Sequence, residues 1–177
     1  IVDIEAVAAI AHEAGIPLVC DNTLASPYLC RPFEWGADIV THSMTKFICG
    51  HGNTMGGVMV ESGKFDWSQN DKFPMLSQPD AAYHGLTFHE TFGDFGFTMK
   101  MRAVALRDYG PTMSAQSAWN ILQGVETLPL RMERHCANAL AVAEFLKNHP
   151  KVSWVSYSGL KDSPYYGLGQ KYLPKGC

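Results

Sequence analysis

Four side chains stand out for what their types and spacing could do: Asp21, Ser43, Thr45 and Lys46. Lys46 comes after two hydroxyls, at i−3 and i−1, and before Phe47-Ile48-Cys49-Gly50, an apolar run that a solvated lysine has little reason to precede. An amine held in apolar surroundings beside other cations gives up its proton more easily, which nucleophilic attack on a carbonyl carbon requires. Ser43 and Thr45, with nearby backbone N–H groups in a turn, can gather around a phosphate. Asp21 closes an apolar segment in Asp21-Asn22-Thr23. Taken alone it serves a strand-end turn at least as readily as it faces a ligand cation from a buried position. Together the four groups specify more: an acid for a ring nitrogen, an amine for an aldehyde and hydroxyls for a phosphate. That set suits pyridoxal phosphate.

Positioning these groups requires strands that end beside one another. Asp3 to Gly15 reads as a capped helix with Ile4, Val7, Ala8, Ala11 and Ala14 near one face. Ile16–Cys20 reads as a buried strand with Pro17 at its entrance. Pro32–Trp35 reads as one helical turn closed by Gly36, Ala37–His42 as a second strand, Ser43–Asn53 as a polar loop and Gly57–Glu61 as a third strand. This alternation predicts an α/β sheet with covered faces, in which ligands sit beyond the carboxyl ends of the strands. Asp21 and the Ser43–Lys46 segment both fall there.

Ser62–Gly85 is rich in Pro, Asp, Ser, Gln and Gly and reads as a long loop with one helical turn, a lid or a contact segment. Helices are expected over Asp94–Tyr109, Met113–Gln123 and about Glu126–Asn148, the last stopped by His149-Pro150. Val152–Tyr157 reads as a strand that opens a new unit. Residues 1–125 are therefore expected to form part of one domain, and 126–177 a linking helix and the start of the next. The opening helix feeds a parallel strand, so the chain reads as an internal piece of a longer protein.

Composition narrows the classes. With 46% apolar and 18% charged residues the chain is globular. A formal charge of −3 with dispersed basic residues argues against nucleic acid, and no apolar run could span a bilayer. Five cysteines without close CxxC pairs fit reduced thiols in a cytosolic protein better than a disulfide framework or a zinc ribbon. The seven histidines lack zinc-motif spacing, so no metal is expected.

Asp21-Asn22-Thr23, Ser26-Pro27-Tyr28, Arg31-Pro32, Gly36–Val40, His42–Lys46 and Gly50-His51-Gly52 closely resemble the Cys/Met-metabolism family of pyridoxal-phosphate enzymes. Gly124–Leu128 with Arg131–His135 resembles that family's segment leading into its second domain. The resemblance implies the type I, aspartate-aminotransferase-like fold, with this chain as the central part of the large-domain sheet, its flanking helices and the start of the C-terminal domain. It implies Lys46 as the Schiff-base lysine and proton shuttle, Asp21 as the acid on the pyridine nitrogen, and Ser43 and Thr45 as phosphate ligands. Phe65–Trp67, Phe73-Pro74, Gln78–Asp80 and Tyr83–Gly85 look like the family's O-acetylhomoserine sulfhydrylase branch, which joins O-acetylhomoserine to sulfide or methanethiol. Cystathionine γ-synthase or methionine γ-lyase chemistry on the same scaffold is the alternative, and a catalytically incomplete folded module is a second. A cytoplasmic homotetramer is the assembly the family implies. Arg102, Arg107, Arg131 and Arg134 read as helix-face residues.

Overall fold

The computed structural model describes residues 1–177. Helix α1 (Ile4–Glu13) starts where Asp3 accepts the Ala6 N–H, and it buries Ala8 and Ala11. It leads to strand β1 (Val19–Asp21), which is shorter than Ile16–Cys20 and starts later. The reason lies in Leu18, whose N–H donates to the Asp38 carboxylate at 2.8 Å. With that donor spent on a side chain, ladder pairing begins one residue on. The same carboxylate oxygen meets His12 Nε2 at 2.7 Å and so ties α1 to the sheet.

After β1 come α2 (Ser26–Leu29) and a 3₁₀ turn over Pro32–Trp35 that Gly36 closes with φ of 92°. Strand β2 (Ile39–Ser43) is central and mostly buried, and β3 (Gly57–Glu61) flanks it. β1 and β2 run parallel, with Asp21 opposite Thr41, while β2 and β3 run antiparallel, with Ser43 opposite Gly57. The sheet is therefore mixed. The expected covering of both faces does not extend to its flanks: Val19 of β1 and Val58, Met59 and Val60 of β3 are exposed.

Residues 62–85 are more ordered than a loop. They contain α3 (Pro74–Ser77) and a 3₁₀ turn at Ala81–Tyr83. Trp67 and Leu76 join Ile39 and Phe88 in a buried cluster, with Trp67 stacked on Phe97 at 5.2 Å. Each fully buried side chain of this size stabilises the fold by roughly 1.5–3 kcal/mol, which fastens the segment to the sheet. The helix expected over Asp94–Tyr109 runs without a break from Gly96 to Tyr109. It is preceded by α4 (Phe88–Phe92) and a 3₁₀ turn (Gly93–Phe95), and it consists of α5 (Gly96–Lys100), a π-helical stretch (Met101–Leu106) and α6 (Arg107–Tyr109). Lys100 of α5 is buried, pairs with Asp80 and lies over the Phe88 ring at 4.6 Å.

Ser114 caps α7 (Ala115–Glu126) by accepting the Ser117 N–H at 3.1 Å, and α8 (Leu128–Lys147) follows with Pro129 in its first turn. Leu128, Met132 and Cys136 of α8 pack on Leu29 of α2. Val152–Tyr157 is not a strand, because no other strand of the chain runs beside it to satisfy its backbone. The chain instead ends in α9 (Tyr166–Tyr172), whose buried Tyr172 hydroxyl donates to Asp3 and accepts the Glu5 N–H at 3.2 Å. No helix is long and apolar enough to cross a membrane.

Candidate functional site

The parallel pairing of β1 and β2 brings two loops to one end of the sheet. Asp21 stands at the end of β1 and is exposed, as the strand-end-turn reading has it and not the buried one. Its carboxylate accepts the Thr23 N–H at 2.9 Å. The Thr23 hydroxyl and this N–H hold Asp21 below the ordinary carboxylate range, and nearby His42 adds to the effect. Asn22 is buried and donates its amide to the carbonyls of Ser26 (3.2 Å) and Cys30 (2.8 Å), which curls the chain tightly after the acid. Ser26, fully buried, takes a φ of 58° to complete that curl.

The second loop starts at Ser43, the last residue of β2. Its N–H donates to the Thr23 hydroxyl at 2.8 Å, so the two strand ends are stapled together. The Ser43 hydroxyl makes no hydrogen bond within the chain and stays free for a ligand. Thr45 Oγ1 accepts the Gly56 N–H at 3.2 Å and approaches the Gly56 carbonyl at 3.4 Å. Lys46 follows on a tight turn, with its N–H donating to the Ser43 carbonyl (3.2 Å) and its carbonyl accepting from Gly50 (2.8 Å). Its side chain is exposed and lines a cleft of about 400 Å³ with Leu24, Phe47, Arg131 and His135.

Ile48 and Cys49, just past the lysine, are buried against Ile121 of α7. Helix α7 approaches so closely that a Cβ on Gly124 would sit 2.0 Å from the Cys49 carbonyl oxygen. Beneath the loop ends, His42 is buried with its Nδ1 unpartnered; burial lowers its pKa, against the opposing pull of the Asn22 backbone and Asp21. The structure thus gathers Asp21, Ser43, Thr45 and Lys46 at one sheet end.

Arg131 is the residue the sequence did not single out. It is no mere helix-face residue: its guanidinium donates to the carbonyls of Phe47 (2.7 Å), Ile48 (3.3 Å) and Gly124 (2.7 Å), and to the Thr127 hydroxyl (3.1 Å). The only local hint was its place four residues after Thr127.

Comparison with known proteins gives the family and the fold. The family model described as Cys/Met metabolism PLP-dependent enzyme matches residues 1–176. The chain belongs to that family. It is 53% identical over 182 residues to the O-acetyl-L-homoserine sulfhydrylase of Leptospira meyeri, covering 98% of this chain and 41% of the relative. It is 52% identical to the homocysteine synthase of Schizosaccharomyces pombe, again covering 98% of this chain and 41% of the relative. A crystal structure named for an O-acetylhomoserine (thiol)-lyase of Campylobacter jejuni, holding a pyridoxyl-lysine monophosphate, superposes with a TM-score of 0.93 at 38% identity, over 99% of this chain and 43% of that one. The fold is that of a PLP-dependent enzyme of this family. The chain spans about two fifths of the length of the curated relatives it matches, 41% for both the Leptospira and the Schizosaccharomyces enzymes.

Proposed function

We propose that this chain supplies the lysine-bearing part of an enzyme that replaces the acetate of O-acetylhomoserine with sulfide or methanethiol, giving homocysteine or methionine. One observation carries the reading: Asp21 and the Lys46 loop leave adjacent parallel strands at the same sheet end, stapled by the Ser43 N–H to Thr23 Oγ1 bond of 2.8 Å. The names of the relatives support the substrate, and the family's dependence on pyridoxal phosphate supports the cofactor.

The residues present suit that cofactor. Lys46 offers an exposed amine beside a cleft, Ser43 a free hydroxyl and Asp21 an ionised, outward-facing carboxylate. When bound, pyridoxal phosphate supplies an electron sink next to the substrate's α-carbon. In this reading Lys46 Nζ holds the aldehyde carbon until substrate arrives. The released amine then takes the proton from the substrate's Cα, passes it to the former aldehyde carbon, and so is free to take one from Cβ as acetate leaves; the same transfers run in reverse after the thiol adds. A positioned base of this kind contributes about 10²–10⁴-fold. Asp21 keeps the ring nitrogen protonated. Ser43 donates to the phosphate, and so does Thr45, whose acceptor lone pair is already engaged by Gly56 and whose longer contact to the Gly56 carbonyl gives way.

Residues 1–125 are assigned to the cofactor-binding domain, and 126–177 to the linking helix and the start of the C-terminal domain. A homotetramer in the cytoplasm, free of nucleic acid and membrane, is the assembly proposed with it, on the family resemblance. Assaying the full-length protein with O-acetylhomoserine plus sulfide, against O-succinylhomoserine plus cysteine, tests the reading. Homocysteine from the first pair is the expected result. Turnover of only the second pair would reject it.

A further inference from the structure

We propose that Arg131 is a positioning residue that fixes the backbone carrying Lys46, so that the amine meets the cofactor's aldehyde in reactive geometry. This rests on the assignment of Lys46 as the cofactor-bearing lysine. Four of the five guanidinium N–H groups are in use: one from Nε, one from Nη1 and two from Nη2. Their acceptors are three carbonyls and a hydroxyl. No carboxylate of the chain lies within ion-pair distance of Arg131, so its charge is directed onto peptide oxygens.

Two of those oxygens belong to Phe47 and Ile48, the residues directly after Lys46. The other two partners, Gly124 and Thr127, flank the junction of α7 and α8. One rigid planar group thus joins the lysine turn to a helix junction, Arg131 and Phe47 being 84 positions apart in the chain. The chain is cleared for it: a Cβ on Gly50 would stand 2.1 Å from Arg131 Nη1, and Gly50 has a φ of 73°. A reacting group misplaced by about 1 Å costs on the order of 10²-fold in rate, so a clamp on the adjacent peptides bears directly on the amine's chemistry. An ammonium on a flexible stem cannot span the same set of acceptors, which makes Arg131→Lys a disruptive change.

The test uses the full-length protein. Cofactor-free protein is mixed with pyridoxal phosphate and quenched with borohydride at timed intervals, and the fraction of Lys46 peptide carrying the reduced cofactor is measured by mass spectrometry. Arg131→Ala is expected to slow labelling of Lys46 about 10–100-fold and to lower kcat similarly, while KM stays within about threefold. Arg131→Lys should retain most of the defect. A purely structural role would lower Tm but leave labelling rate and kcat per folded molecule at wild-type values, and that result overturns the proposal. Should Arg131→Ala not accumulate, folded Arg131→Lys is read in the same way, and wild-type behaviour in it is equally fatal. Lys46→Ala run in parallel separates the two levels of inference. Label that persists in that variant, on another lysine, rejects the Lys46 assignment itself, whereas a missing label with unimpaired Arg131 variants rejects only the clamp.

Discussion

The loops after β1 and β2 leave the same end of the sheet but are held by different means. The Asp21 loop takes its shape from its own bonds: Asn22 reaches the carbonyls of Ser26 and Cys30, Asp21 accepts from Thr23, and Ser26 takes a left-handed turn, all within ten residues. Outside support reaches it at Thr23, stapled to Ser43, and at Leu29, packed on α8. The Lys46 loop is held from outside, by Ile121 and Gly124 of α7 and by the Arg131 guanidinium of α8. A group whose task is to stay put as a charge can be set by local turns. On the proposed assignment Lys46 forms and releases a bond, which a braced platform that leaves its own side chain free serves better.

Substitutions can separate the two arrangements. The largest effect is expected at Lys46: Lys46→Ala in the full-length protein should abolish borohydride-trapped cofactor on that peptide and lower turnover by about 10²–10⁴-fold, leaving the Asp21 loop intact. Next is Gly124→Ala. The added carbon meets backbone atoms of Cys49 that cannot swing aside, so the cost should reach about 3 kcal/mol, the upper range for overpacking, despite the helix propensity gained. Hydrogen exchange should then quicken at the amides of Cys49 and Gly50 and not at Cys30.

Asn22→Ala should show the reverse pattern. It deprives the buried Cys30 carbonyl of its donor and the Ser26 carbonyl of one of two, at about 1–3 kcal/mol, and should loosen Cys30 while Gly50 stays protected. If both variants loosened both loops equally, the distinction between local and external support would fail. The smallest effect concerns His42, which lies beneath both loops with its folded pKa lowered by burial. The unfolded chain then binds the extra proton more readily, so stability rises with pH between the folded value and the ordinary histidine value near 6.5 and is lost on acidification through that window. Thermal melts should show Tm falling modestly from pH 7.5 to pH 5, with a shallower slope in His42→Gln.

The same contrast governs what the sequence could reveal. Asp21-Asn22-Thr23 and the hydroxyl–lysine spacing are local patterns, and the strand ends they mark are where the structure puts them. The antiparallel turn of β3, the aromatic fastening of residues 62–85 and the Arg131 contacts depend on partners far along the chain. Val152–Tyr157 misled for a related reason: Val152, Trp154, Val155 and Tyr157 suit a strand, but β propensity does not say whether a neighbouring strand exists. For Asp21 the sequence left exposed and buried readings side by side, because burial is set by what packs around a turn and not by the turn's own residues.

The antiparallel pairing of β2 with β3 carries a consequence for how this region can vary among relatives. Ser43 and Gly57 face each other across the ladder, so the chain leaves and re-enters the sheet at one place. Everything between them is a hairpin excursion, pinned near its start by Arg131 and Ile121. Its far half, from His51 to Met55, lies beyond those pins. Lengthening a flexible loop costs only about 0.6 kcal/mol per doubling. Insertions there can therefore accumulate and reshape what borders the cleft, while the lysine keeps its place.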